Sequence, residues 1–435
     1  MRAPIWVSQL ELTEPLPSVL LPVASPEGDV YTGARFLVRL DRVPVGYVEV
    51  ESTAIDAEWL AEVVWGQVSE AVNERVCARG LTPIEELTVD GLPHLVDQVR
   101  DRVDEPFMSV VLCTRNRTEG AMQTIRTLAD LDYVDYEVVV VDNAPNDDAT
   151  RDAVLAEFGD NPRVRYVREN NKGLSRARNC GVRESLGEFI AFTDDDVFVD
   201  RYWLQGIAKG FAQSADVGCV TGLIPSASLD NAMQLYFDRR VTWGSSCVSR
   251  MFDMADNRDK SPLYPYSPGI FGTGANFAMR RSVLEQLGGF DEALGAGAPC
   301  GGGEDLDIFM RTVLAGHALM YEPSAIISHV HRAELDELRK QMFAYGSGFS
   351  ASLVSLIVRN PRTLVSLSSR AMFGIARFRA IAGCNHGEGG LPSELIVREL
   401  RGVLAGPWQY FEGRRRARFQ HRMQSDVLSR LEKAA

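Results

Sequence analysis

The sequence predicts an α/β fold with a mainly parallel central sheet, a small α+β domain before it and a helical region after it. Two observations carry this. From about residue 107, short apolar runs alternate with helix-length amphipathic segments, the signature of strand–helix–strand crossovers covered on both faces. The composition also changes on either side: the acidic Asp101-Arg-Val-Asp-Glu-Pro106 closes one segment, and helix-rich sequence with Arg-Lys clusters begins near Ala333. The expected units are residues 1–104, 105–345 and 346–435.

In the first unit, Arg35–Leu40 and Val43–Val50 alternate apolar and polar positions and read as a hairpin. Asp56 is placed to cap a helix carrying Trp59, Leu60, Val63 and Val64, which Gly80 closes. No catalytic constellation is evident there, so an accessory or oligomerisation role, including a homo-oligomer, is expected. In the second unit, Met108–Cys113 is a strand and Thr118–Leu131 a helix. Glu137–Asp142 is the next strand, followed by a helix ending at Phe158. Arg163–Arg168 is a third strand with a helix from Ser175, and Phe189–Thr193 a fourth that runs into Asp194-Asp195-Asp196.

The chain carries 46 Lys+Arg against 59 Asp+Glu, a net charge of -13, which excludes a general nucleic-acid binder. Its seven cysteines form no CxxC pair, which fits a reducing, cytoplasmic setting better than a disulfide framework or a zinc site. The start, Met1-Arg-Ala-Pro-Ile-Trp6, lacks the basic and apolar regions of a signal peptide. No run reaches the ~18 uninterrupted apolar residues of a spanning helix. Arg414-Arg-Arg-Ala-Arg418 beside Trp408 and Tyr410 reads either as a solvated terminal helix or as a peripheral contact with an anionic membrane or a phosphate-bearing acceptor.

Three carboxylates at one strand end repel one another unless a cation sits among them; oxygen ligands suit Mg²⁺ or Mn²⁺. An acidic turn is the alternative when the triplet is taken alone. Four strand ends, however, carry polar residues in order: Thr114-Arg-Asn-Arg117, Asp142-Asn-Ala-Pro-Asn-Asp147, Asn170–Asn179 and the triplet. Ligands gather at such ends in open α/β sheets, and Arg178 near a helix start is suited to facing phosphate.

In this order and spacing the segments resemble the family 2 glycosyltransferases, whose nucleotide-binding fold is called GT-A; the resemblance covers about residues 107–350. Its motifs are matched by Thr114–Arg117, Asp142-Asn143, Gly173–Gly181 and Asp194-Asp195-Asp196. Gly272–Arg281, Gly288-Gly-Phe-Asp-Glu292 and Gly303-Glu-Asp-Leu-Asp307 match further ones. The resemblance implies an inverting, metal-dependent glycosyltransferase using a nucleotide-sugar donor, with uridine as the family-level expectation for the base. Thr114, Asn116, Asp142, Asn143, Arg178, Asp194 and Asp195 would contact the donor. Asp196 and a histidine, His329 or else His331, would hold Mg²⁺ or Mn²⁺. Gly274, Asn276 and Glu304 would line the sugar or acceptor cleft.

Asp305 would be the catalytic base, because inverting transfer needs one carboxylate to take the acceptor's proton; as an acidic residue at a helix start, it would otherwise read as a cap. The glycine-rich Leu294–Gly303 predicts a mobile loop. Three departures from the family pattern stand out: Asn143 for a second aspartate, Arg115 where an aromatic is frequent, and the N-terminal extension. The acceptor is open between a glycan, a lipid-linked sugar, a peptide and a natural product. A non-catalytic nucleotide-sugar binding module is the alternative, and a nucleotidyltransferase a weaker one, since no glycine precedes Gly120 after the first strand.

Overall fold

The computed structural model describes residues 4–21, 24–26, 28–101, 103–241, 244–370, 373 and 393–434. The N-terminal unit holds β1 (Trp6–Glu11), β2 (Val19–Leu20), β3 (Ala34–Leu40), β4 (Val43–Val50), β5 (Ala54–Ile55) and α1 (Ala57–Ala78). The expected hairpin is β3–β4, and β1 adds to its other edge in parallel. Helix α1 starts where predicted: the Asp56 carboxylate accepts hydrogen bonds from the backbone N–H groups of Glu58 and Trp59, satisfying two donors that the first turn leaves orphaned. Leu60, Val64, Val68, Val72 and Val76, spaced for one helix face, are buried with Phe36, Val38 and Val48 of the sheet in a core of their own.

This unit is docked on the rest of the chain through two small apolar clusters, Ile5 with Leu229 and Leu235 and Leu37 with Leu223 and Ile326, and through charge. Arg39 meets Asp200 at 2.6 Å, Arg35 meets Asp238 at 2.6 Å, and the Arg42 guanidinium lies 3.7 Å from the centre of the Tyr202 ring. Asp101, read from the sequence as part of a linker, is clamped by Lys209 at 3.1 Å and also pairs with Arg75 and Arg79.

The central unit runs β6 (Met108–Thr114), α2 (Thr118–Ala129), β7 (Tyr136–Asn143), α3 (Ala149–Phe158), β8 (Val164–Glu169), α4 (Leu174–Glu184), β9 (Phe189–Thr193), β10 (Val197–Val199), α5 (Trp203–Ala212) and β11 (Val217–Leu223). It continues with α6 (Ala232–Arg240), β12 (Arg250–Phe252), β13 (Asn276–Arg280), α7 (Arg281–Leu287), α8 (Glu304–Leu314) and β14 (Ala318–His329). They build a nine-stranded sheet in the order β10-β14-β11-β13-β9-β6-β7-β8, with β12 beside β14. β6, β7, β8, β9, β11 and β14 run one way, and β13, β10 and β12 the other. The α/β class and the mainly parallel sheet are therefore as expected. Successive residues of β7 face opposite layers: Val138 and Val140 enter one core, Val139 and Val141 the other. A strand buried on both faces reads as an unbroken apolar run.

The C-terminal region is helical, as expected, with α9 (Leu335–Arg359), α10 (Arg362–Ser368) and α11 (Ser393–Ala434). The predicted boundary at 345/346 needs correction, because it falls inside the continuous helix α9. Tyr345-Gly346-Ser347-Gly348 looks like a break in sequence, yet its glycines serve close backbone approaches: a Cβ on Gly346 would sit 2.0 Å from the Glu399 carbonyl oxygen of α11, and one on Gly348 would sit 2.8 Å from the Gly303 nitrogen. By length and composition α9 is apolar enough to cross a membrane, but half of its most apolar window is buried inside the protein. Residues 374–392 of the predicted extension, with Cys384, lie outside the described residues.

Two glycine substitutions should act in opposite directions. Gly402→Ala would drive a Cβ to 2.1 Å from the Phe343 carbonyl oxygen and 2.8 Å from the Ser347 nitrogen, and is expected to cost about 1–3 kcal/mol or more. Gly66→Ala, on an exposed stretch of α1 where the new methyl meets nothing within 4 Å, should stabilise by about 0.5–1 kcal/mol. Denaturant midpoints of the two variants check both signs.

Candidate active site

The strands β6, β7 and β9 end side by side, so the segments that follow them converge on one edge of the sheet. Asp194-Asp195-Asp196 leaves β9 there, and antiparallel β10, paired to β14, brings the His329 end of β14 to the same place. A cavity of about 890 Å³ opens beside them. Of the predicted residues, Arg178, Asp194, Asp196, Gly274, Glu304, Asp305, His329 and its alternative His331 form part of its wall.

Asp194, Asp196 and His329 each offer a ligand atom, and these atoms lie within 4.8 Å of one another. His329 Nε2 is 3.3 Å from Asp196 Oδ1. Burial opposes ionisation of Asp196, but the hydrogen bond and charge of His329, with Arg117 and Arg332 nearby, outweigh it and hold its carboxyl well below the usual range. Asp194 lies deep in the cleft with a third of its side chain still reached by water. Burial pushes it up to about 6, against the pull of Arg178. Burial alone would lower His329; its hydrogen bond to Asp196 and the charges of Asp196 and Asp194 raise it. Two carboxylates and one imidazole are a donor set that fits a hard divalent cation.

Arg178 joins this cluster to the opposite wall. Its Nη1 donates to Glu304 Oε1 at 2.8 Å and its Nη2 to the Gly274 carbonyl at 2.9 Å; Nη2 is also 3.5 Å from Asp194 Oδ1. The guanidinium is 2% exposed and packs beside the rings of Phe277 and Phe290. This differs from the expected phosphate contact, because its donors are committed to protein acceptors. Gly274 in turn donates its N–H to Asp305 Oδ2 at 2.8 Å. A Cβ at Gly274 would meet both the Asp305 side chain at 3.0 Å and Arg178 Nη2 at 3.1 Å, so the position has no room for a side chain.

Glu304 and Asp305 open α8, where the helix dipole favours negative charge. Glu304 points inward, and burial pushes it up to about 7 despite Arg178. Asp305 faces the cavity and forms no ion pair among the described residues.

The remaining predicted residues lie outside the cavity wall. Asp142 is buried; its Oδ2 accepts from the Tyr166 hydroxyl at 2.9 Å, and its Oδ1 has no partner among the described residues. Asn116, in the left-handed region at φ 54°, accepts from the Asn146 N–H at 2.9 Å, tying the loop after β6 to that after β7. Thr114 donates to Asp195 at 2.7 Å, and Arg117 holds the other oxygen of Asp195 at 2.6 Å.

Two expectations are corrected. Asn143 spans to the next loop, donating to the Asn171 carbonyl and accepting from the Gly173 N–H, each at 2.8 Å, so its amide is occupied. Asn276 is fully buried. It donates to the carbonyls of Leu223 and Ala325 and accepts from Trp203 Nε1, which makes it a cross-link of the sheet and not a cleft residue.

Sequence reasoning missed Arg332 and the contribution of α9, whose Lys340, Gln341 and Tyr345 line the cavity. It quoted Arg117 without giving it a role. Arg332 could have been found, because it directly follows the His329–His331 run.

Because the folded protein binds the Glu304 proton more tightly than the unfolded chain does, this carboxyl favours the fold below its ordinary value of 4.5. That contribution is lost as pH rises through about 7. Glu304→Gln should remove this falling segment from the stability-versus-pH curve between about pH 4.5 and 7, as read by thermal or denaturant unfolding across that range.

Residues 109–288 match the family model described as Glycosyl transferase family 2. The chain is 26% identical over 254 residues to the pre-mycofactocin glycosyltransferase of Mycobacterium tuberculosis, a match covering 58% of this chain and 48% of that protein. It thus spans about half the length of that relative. It is 28% identical over 250 residues to the succinoglycan biosynthesis protein ExoM of Rhizobium meliloti, covering 55% and 72% of the two chains. Among solved structures it is similar to the mannosyltransferase PcManGT from Pyrobaculum calidifontis in complex with GDP-Man and Mn²⁺, with a TM-score of 0.49, 18% identity, and coverage of 70% and 88%. The match to glycosyl transferase family 2 runs from Ser109 to Gly288, through the aspartate triplet and the strands that carry it.

Proposed function

We propose that this chain transfers a sugar from a nucleotide-diphosphate sugar to a hydroxyl of a glycan-type acceptor, with inversion at the anomeric carbon. One observation carries the reading. A carboxylate–carboxylate–imidazole cluster and a separate carboxylate with no ion pair among the described residues, Asp305, share a single cavity and are braced against each other by Arg178.

Asp194, Asp196 and His329 would hold Mg²⁺ or Mn²⁺, and the imidazole among the oxygen ligands favours Mn²⁺. A divalent cation supplies charge neutralisation for a departing diphosphate. The protein's own residues do the rest. Asp305 takes the proton of the acceptor hydroxyl as its oxygen bonds to the anomeric carbon; the bond from that carbon to the phosphate oxygen breaks, and its electron pair leaves with the nucleoside diphosphate. The Gly274 N–H fixes the orientation of the Asp305 carboxylate. Glu304 is committed to Arg178, so the cavity needs no second carboxylate as nucleophile, which supports inversion. Asp142, with one buried oxygen lacking a partner, suits a hydrogen-bond donor on the nucleobase, and uridine is the first base to test. Asp195 is held by Thr114 and Arg117. These three position the triplet, and direct donor contact falls to its neighbours.

Thermal-shift titration against UDP-, GDP-, dTDP- and CMP-linked sugars, each with Mn²⁺ and with EDTA, tests the class. One nucleotide sugar should stabilise the protein with metal and lose most of that effect with EDTA. Asp196→Ala should abolish the metal-dependent shift. Asp305→Asn should keep it, while transfer to the matching acceptor, or slow hydrolysis of the donor, falls by about 10²–10⁴. Native turnover by Asp305→Asn would remove the base assignment, and a retained anomeric configuration in the product would remove inversion.

A further inference from the structure

Helix α11 has two faces with opposite demands. Its inner face carries Gly402, Gly406, Tyr410 and Gly413, all buried, with Gln409 beside them meeting Ser347 of α9. Half a turn away, Leu404 is 81% exposed, Trp408 77% and Phe411 53%, with Phe419 further along the same stripe. At about 100° per residue these positions fall on one line of the helix, opposite the glycine seam. Three large apolar side chains in successive turns face water, and only Phe411 has a recorded ring contact, edge-on to Tyr410 of the same helix; this is more than the scattered exposure of an ordinary surface.

The charge around the stripe says what covers it. Helix α11 holds nine basic and five acidic residues, in a chain whose net charge is -13. Arg401, Arg415 and Arg418 are exposed along the stripe and pair with no carboxylate among the described residues. Arg416 is neutralised by Glu412, and Arg398 lies near Glu394. An apolar stripe with an indole and flanking guanidinium groups is the chemistry of a helix lying in the headgroup region of an anionic bilayer. A second copy of the chain fits less well, because self-pairing along this line would gather the arginines of both copies.

We propose that the outer face of α11 docks on an anionic membrane surface. The same helix lines the cavity from its other side through Glu399, so docking would set the cavity one helix thickness, roughly 10 Å, from the headgroups. That last consequence rests on the proposed transferase reading; the docking itself does not.

The full chain, without donor or metal, is sedimented with phosphatidylcholine vesicles and with vesicles containing phosphatidylglycerol. Binding to the anionic vesicles only is expected, weakening as salt rises. Arg415→Glu/Arg418→Glu should cut partitioning at least tenfold, since each arginine contributes roughly fivefold. Leu404→Ser/Trp408→Ser/Phe411→Ser should abolish it, with an unchanged melting temperature as the check on folding. Should the triple variant unfold, the exposed arginine pair carries the test alone. Absence of binding to anionic vesicles, or binding that both variants leave intact, overturns the proposal. So does a dimer in sedimentation velocity that the triple variant dissociates while vesicles bind neither form; that result would assign the stripe to a second copy.

Discussion

The cavity depends on one buried cation. Arg178 is removed from water, and a guanidinium in that position is tolerable only if its donors are met and its charge is balanced. Glu304, Gly274 and Asp194 meet those needs from three separate elements: the start of α8, the loop before β13 and the end of β9. The constraint therefore works outwards. To satisfy Arg178, the acidic turn and α8 must approach to a fixed distance, and the Gly274 backbone must pass between them with no side chain of its own. Its N–H is then left pointing at Asp305.

Much of this was legible in the sequence, for reasons that can be named. The strands were readable because β6, β7 and β9 are buried on both faces and so appear as unbroken apolar runs. Asp194, Asp196, His329 and Asp305 were singled out by the order of motifs that resembles family 2, because an acidic turn or a carboxylate at a helix start reads as structural when taken alone. Asn143 and Asn276 were misplaced because an amide at a strand end looks the same whether it faces a ligand or ties down neighbouring carbonyls. Arg178 was read as a phosphate contact for the related reason that the carboxylates that claim it come from residues up to 126 positions away. The continuity of α9 through Gly346 and Gly348 was hidden for a different reason. Glycine lowers helix propensity, and only backbone approaches from distant parts of the chain, α11 at Gly346 and the Gly302–Gly303 turn at Gly348, explain why it is used there.

The N-terminal unit shows the limit of a boundary read from composition. Its core is its own, and its acidic exit does mark the change of architecture. Yet Arg35, Arg39 and Arg42 reach across to Asp238, Asp200 and Tyr202, and Asp101 is held by Lys209. Asp200 follows directly on β10, whose pairing with β14 sets His329 against Asp196. The accessory unit thus buttresses the rear of the strand pair that closes the site.

Arg117 already holds part of the acidic turn. Its guanidinium spans Asp195 and Asp196, and Arg332 approaches the same Asp196 oxygen. The acidic turn is thus electrically quiet before any ligand arrives. A dication arriving alone would have to break the Arg117–Asp196 contact and leave that charge without its partner. A dication arriving with a diphosphate would offer the displaced guanidinium an anion in exchange. If the proposed transferase reading holds, loading of such a site would be cooperative: each ligand would remove the penalty that the other meets, and neither alone would report the affinity of the pair.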